Sequence, residues 1–148
     1  MIKFKQEVIK MDKINTEYLE KCIETLEKSY KLLLSVQEGS IDYEMYRNSL
    51  VKGFEMTLEQ IGKLLRKKIT PYFATKKAVD QLTFKDLFRY ALKHSFLTNE
   101  EVERWFKYRD NRNNTTHDYG KSFAEETLFL IDDFIKDAYR MKDIIENG

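Results

Sequence analysis

Eight consecutive residues, Arg112-Asn113-Asn114-Thr115-Thr116-His117-Asp118-Tyr119, gather a fixed cation, an imidazole, amides, a carboxylate and a phenol. The chain has only two histidines, and one of them stands here. An imidazole with a pKa of about 6.5 can take a proton from a ribose 2′-hydroxyl or give one to a leaving 5′-oxygen. A guanidinium stays charged and matches phosphate oxygens through a forked pair of hydrogen bonds. As charge builds on a phosphorane, Arg112 would hold the transition state more tightly than the ground state. Asn113 could orient the ribose or the imidazole, and Asp118 could orient a neighbouring His or Arg or simply keep the helix end soluble. This chemistry needs no metal and no cofactor.

Geometry restricts the scheme. On a straight helix, positions five apart lie about 140° apart around the axis, so Arg112 and His117 do not share a face. Asn113 and His117 do, and so do Arg112 and Tyr119. Two routes can unite Arg112 with His117. The weak helix formers Asn113 to Thr116 can distort the helix end, or a second copy of the helix can supply the missing group across a two-fold axis. A purely structural reading also stands: His117 at a helix C-terminus would favour the dipole by about 0.3–1 kcal/mol.

Periodicity supplies the elements that must position these groups. Leu19, Ile23, Leu26, Tyr30, Leu33 and Leu34 put one apolar face on a helix from Thr16 to Gln37, with Asn15 as its N-cap. A second helix over Asp42–Lys68 carries Tyr43, Tyr46, Leu50, Phe54, Leu58, Ile61, Leu64 and Leu65, and stops before Pro71. Within it, Gly53 and Gly62 either admit a close neighbour or are merely tolerated. Thr70–Gln81 reads as a polar connection. Thr83 caps a short helix over Phe84–Lys93, with Leu87, Phe88 and Leu92 inward.

Thr98 and Glu101 form a capping box ahead of a helix with Val102, Trp105 and Phe106 apolar and the reactive residues at its far end. Gly120 suits the closing left-handed position. Ser122 and Glu125 form another capping box, opening a last helix to Glu146. The fold expected is all-α: one up-and-down bundle of four main helices plus a short one, a single domain over 1–148, with 1–11 as a loose or accessory arm.

Composition agrees. A chain of 148 residues with 42% hydrophobic residues, 5 Gly and 1 Pro suits one helical domain with a substantial core. Its 26 basic and 25 acidic residues leave a formal charge of +1, so any RNA contact must be local. Cys22, alone, excludes an internal disulfide or a cysteine zinc site, and the two distant histidines offer no metal cluster. Met1–Lys10 lacks a secretory pattern, and no apolar run nears the roughly 20 residues that span a bilayer. The location expected is cytoplasmic.

Arg109, one turn before Asn113, either extends a positive patch with Arg104, Lys107 and Lys121 or pairs with Glu101, Glu103 or Asp110. His94 reads as structural. Tyr43, Tyr46, Phe54 and Trp105 read as core or interface residues.

The ordered Arg-x4-His-x-Tyr, with Asn after the Arg, resembles the signature of the HEPN superfamily. Within it, the stretch from Thr16 to Ile145 looks like the nucleotidyltransferase substrate-binding and toxin branch. The leucine-lined first helix, the Phe54–Glu59 segment and the Trp105–Tyr119 stretch carry that likeness. The resemblance implies a metal-independent endoribonuclease toxin with Arg112 and His117 as the working pair at a homodimer interface. It implies RNA as substrate and a minimal nucleotidyltransferase as partner, which would neutralise the toxin by attaching AMP to Tyr119. It equally allows a non-catalytic subunit that presents a nucleotide or other substrate to that nucleotidyltransferase.

Overall fold

The computed structural model describes residues 13–113 and 121–147; of residue 113 and residues 121–124 it describes the backbone alone. Helix α1 covers Glu17–Leu34, α2 Ile41–Ile69, α3 Lys76–Asp80, α4 Phe84–Lys93, α5 Asn99–Asn113 and α6 Lys121–Asn147, with a 3-10 turn at Thr70–Tyr72. No strand occurs among the described residues, and the all-α expectation holds. None of the described helices is long and apolar enough to cross a membrane.

Hydrogen bonds between distant residues fix the directions of the long helices. Thr16 at the start of α1 bonds Glu146 at the end of α6, and Tyr139 donates to Glu27 at 3.2 Å, so these helices run antiparallel. Glu101, Arg104 and Asn111 of α5 meet Arg140, Asp137 and Thr127 of α6 in reverse order, so this pair is antiparallel too. One buried cluster joins α1, α2, α4, α5 and α6. At its centre Trp105 stacks on Phe88 at 5.2 Å and meets Tyr108 and Phe134 edge-on at 5.2 and 5.7 Å. Phe134 in turn lies 4.5 Å from Phe54. Such tilted and edge-to-face pairs exploit the ring quadrupole beyond simple area burial.

Several expectations about element ends need correction. Thr16, not Asn15, occupies the N-cap of α1; Asn15 still serves the first turn, accepting from the Glu17 amide at 2.9 Å. The helix stops at Leu34 rather than Gln37 because the Ser35 hydroxyl and amide both turn back onto the Leu32 carbonyl. Ser40 caps α2 by accepting from the Tyr43 amide at 3.1 Å. Tyr43 and Tyr46, expected in the buried stripe, are only half-buried.

Thr70–Gln81 is not a plain polar connection. It contains the 3-10 turn and α3, held because Arg66 donates to the Val79 and Leu82 carbonyls while Val79 is fully buried. The last helix starts at Lys121, one residue ahead of the expected Ser122 cap. Gly120 and Met1–Met11 lie outside the described residues.

The glycines of α2 are close-approach points. A methyl group added at Gly62 would sit 3.0 Å from the Phe84 ring, and one at Gly53 would sit 3.4 Å from Leu26 Cα. Helix α4 ends in a Schellman motif: Ser95, at φ 63°, takes the left-handed position, and the Phe96 amide returns to the Ala91 carbonyl at 2.9 Å. His94, expected to be structural, stacks on Tyr72 at 3.9 Å.

The Thr98–Glu101 capping box is present in both directions, at 3.0 and 3.2 Å. Glu101 is also buried and accepts from Arg140 of α6. Burial pushes its carboxyl up, but the Arg140 and Thr98 hydrogen bonds outweigh this and hold it below the usual carboxylate range. A folded-state value below the unfolded one contributes stability that is present above about pH 4.3 and lost as pH falls through the depressed value. Glu101→Gln should therefore melt below the wild type at pH 7, with the gap closing between about pH 5 and pH 3. Thermal melts across that range check the sign; a gap that widens on acidification would refute the assignment.

Candidate functional site

Helix α5 brings its last turn to the bundle end where α6 begins. Beyond the Glu101–Arg140 pair, two further polar contacts fasten the seam between them. Deep in it, Asp137 of α6 accepts from Arg104 Nε and Nη2 at 2.8 and 2.9 Å and from the Tyr108 hydroxyl at 2.6 Å. Burial first, and the Asp137 carboxylate second, push the Tyr108 phenol far above its ordinary value, so Tyr108 stays a neutral donor here. Hydrogen bonds to Asp137 likewise hold Arg104 above the usual guanidinium range, so it remains a cation.

Nearer the end, Asn111 Nδ2 donates to Thr127 Oγ1 at 3.0 Å, and both side chains are buried. This contact fixes the turn of α5 that carries Arg112. Arg112 itself lies in that last turn, half-buried. Arg109, one turn earlier, lies with its guanidinium 4.9 Å from the Phe84 ring centre. Burial, and then the nearby Arg112 charge, lower the Arg109 guanidinium. The Arg112 charge is thus felt at Arg109, one turn before it on the same helix.

The expected pairing of Arg109 with Glu101, Glu103 or Asp110 is not found among the described residues. Glu101 is taken by Arg140 and Asp110 by Lys85, at 2.7 Å, and no ion pair of Arg109 is found among the described residues. Arg104, expected in a patch with Arg109, is instead engaged by Asp137 inside the seam.

Of the residues the sequence singled out, the structure places Arg112 and the backbone of Asn113 at the end of α5. His117, Asp118 and Tyr119 lie outside the described residues. Sequence reasoning missed Asn111, Thr127, Tyr108 and Asp137. Asn111 offered one signal, an amide directly before Arg112, but its partner stands 16 residues away in the next helix. Tyr108 completes the apolar stripe of Val102 and Trp105 at helical spacing and is 1% exposed, which periodicity could have found.

Comparison with known proteins agrees with this architecture. Residues 14–147 match the family described as nucleotidyltransferase substrate binding protein like. The chain is 25% identical over 128 residues to a probable ribonuclease HepT of Haemophilus influenzae, covering 84% of this chain and 86% of that protein. Among solved structures, it superposes with TM-score 0.74 and 22% identity on a Haemophilus influenzae protein described as showing the fold of a substrate binding domain of a nucleotidyltransferase. That match covers 88% of this chain and 98% of the other. A protein of Thermus thermophilus matches with TM-score 0.67 and 21% identity, over 87% of this chain and 99% of its own. With its Arg-x4-His-x-Tyr sequence following a clamped helix end and its family match running from residue 14 to residue 147, the chain belongs to the nucleotidyltransferase substrate-binding family, within the HEPN superfamily that its motif resembles.

Proposed function

We propose that this protein is a HEPN-type toxin: a metal-independent endoribonuclease, active as a homodimer and neutralised by a partner nucleotidyltransferase. What supports the reading is Arg112 in the last turn of α5, at a helix end fastened by the Asn111–Thr127 hydrogen bond and shortly before His117 in sequence, in a chain similar to a probable ribonuclease. In the reaction, the ribose 2′-oxygen attacks the adjacent phosphorus and the bond to the 5′-oxygen breaks. One His117 imidazole accepts the 2′-hydroxyl proton, and the other, protonated, gives its proton to the departing 5′-oxygen. The products are a 2′,3′-cyclic phosphate and a free 5′-hydroxyl. Arg112 neutralises the charge gathering on the phosphoryl oxygens. Asn113 and Asp118 orient the reacting groups. AMP attached to Tyr119 would set phosphate charge beside Arg112 and occupy the place of the RNA phosphate.

A second reading has its own support. The family description and the described role of the Haemophilus influenzae structure favour a subunit that presents a substrate to a nucleotidyltransferase without cleaving RNA. Saturable nucleotide binding, lost in Arg112→Ala and never accompanied by cleavage, would select it.

Purified protein with Tyr119 shown unmodified by mass spectrometry should cleave RNA in the presence of a chelator. His117→Ala should lower the rate by about 10²–10⁴-fold and Arg112→Ala by about 10²–10³-fold. Intact RNA with the unmodified wild type would sink the nuclease reading. In cells, expression of wild type should arrest growth and His117→Ala should not.

The seam yields a separate expectation. Asn111→Ala leaves the Thr127 hydroxyl buried and unpaired, at a stability cost of about 1–3 kcal/mol. By releasing the turn that holds Arg112, it should also slow cleavage by about tenfold to a hundredfold in protein that is still fully folded. Rates measured well below the melting temperature test this: unchanged turnover would leave Asn111 a purely structural residue.

A further inference from the structure

The end of α2 and the turn after it hold charge of one sign. From Gln60 to Val79 the chain has six basic residues, Lys63, Arg66, Lys67, Lys68, Lys76 and Lys77, and no acidic one. The formal charge of +1 therefore conceals an excess of acids over the rest of the chain. Arg66 and Lys68 are engaged by the Val79, Leu82 and Ile145 carbonyls. Lys63, Lys67, Lys76 and Lys77 are exposed and make no ion pair among the described residues.

Within that block, Pro71 stiffens the 3-10 turn, and Tyr72 leaves it 53% exposed. The Tyr72 ring stacks on His94 at 3.9 Å with the planes 18° apart, and Phe96 stands 6.2 Å away. Lys68 in turn lies 5.6 Å from the Phe96 ring centre. The next residue, Phe73, meets Tyr90 of α4 edge-on at 4.8 Å, which pins the turn from below. Tyr72 is thus a ring held flat on one side and half in water, a platform on which a planar group can stack. The Arg66 bonds fold α3 back against α2, so lysines from before and after the turn bracket this platform.

A ring among unpaired cations matches single-stranded nucleic acid, in which every base has a π-face and every phosphate a charge. We propose that this end of the bundle is a second contact for single-stranded RNA, a base stacking on Tyr72 with His94 behind it while Lys67, Lys76 and Lys77 meet the flanking phosphates. The inference rests on RNA as the ligand of the function proposed above, and not on its cleavage. Phe96 stands just before α5 and Arg112 lies in the last turn of that helix, so its rise separates the two places by about 20 Å. Only RNA long enough to reach both gains from this contact.

Fluorescence anisotropy of the full-length protein tests it, with a 2′-O-methylated single-stranded RNA of roughly 20 nucleotides, longer than one such site covers. That strand has no free 2′-hydroxyl to attack its phosphates and stays whole. Tyr72→Ala should weaken binding by about fivefold or more, while Tyr72→Phe, which keeps the ring, should bind as the wild type does. Lys67→Gln and Lys77→Gln should each flatten the log–log salt dependence by about 0.7. Circular dichroism melts of each variant confirm folding, which the exposure of these side chains protects. In the cleavage assay, Tyr72→Ala should raise KM for a long RNA at unchanged kcat and alter neither for a dinucleotide.

Wild-type affinity in Tyr72→Ala overturns the proposal, as do equal losses in Tyr72→Ala and Tyr72→Phe. A salt slope untouched by both lysine changes also overturns it. So does binding to phosphatidylserine vesicles that falls with the lysines while RNA affinity holds, in favour of a membrane surface as occupant. The nuclease reading is scored separately: the binding losses without any cleavage keep the contact and remove the reaction. Cleavage with wild-type affinity and KM in Tyr72→Ala does the reverse.

Discussion

A single carboxylate organises the α5–α6 half of this bundle. Asp137 is buried on α6, and it accepts hydrogen bonds from both Arg104 and Tyr108 of α5. A buried charge is tolerated only when paired and bonded, and removing one partner of such a pair commonly costs about 3–5 kcal/mol. The contact therefore does more than add attraction: it rejects every register of α5 against α6 that would strand the charge. Trp105 and Tyr108 are delivered into the aromatic core by the same alignment. So is Asn111, which reaches Thr127 in the direction of the reactive end.

The end of α5 that carries Arg112 is thus set by contacts made well away from it. Arg112 is set by the Asn111 turn, and that turn by the seam. Arg109 completes the local field, resting against Phe84 of α4 rather than on any carboxylate among the described residues.

Much of this was legible in the chain itself. Leu19, Ile23, Leu26 and Leu33 at helical spacing identified α1 and are buried, whereas Leu34, expected on the same face, is exposed. Thr98 and Glu101 announced the start of α5 because a capping box is a local, four-residue arrangement. What stayed hidden depends on partners distant in sequence. Nothing near Asp137 says that it will receive Arg104 and Tyr108, and nothing near Val79 says that Arg66 will tie up its carbonyl and stabilise a five-residue helix. The likeness to the HEPN superfamily came from the order of Arg112, His117 and Tyr119, a pattern that secondary structure alone could not supply.

The position of Trp105 has a practical side. It is the chain's only tryptophan, 1% exposed, with rings of α4, α5 and α6 packed around it. Its indole is a built-in optical gauge at the junction that holds the reactive helix end. Separation of α5 from α6 would bring water to that ring and change its emission, while an event confined to the outer surface would leave the indole as shielded as before. Loosening of the scaffold and occupation of its surface can thus be told apart by light alone, with no label attached.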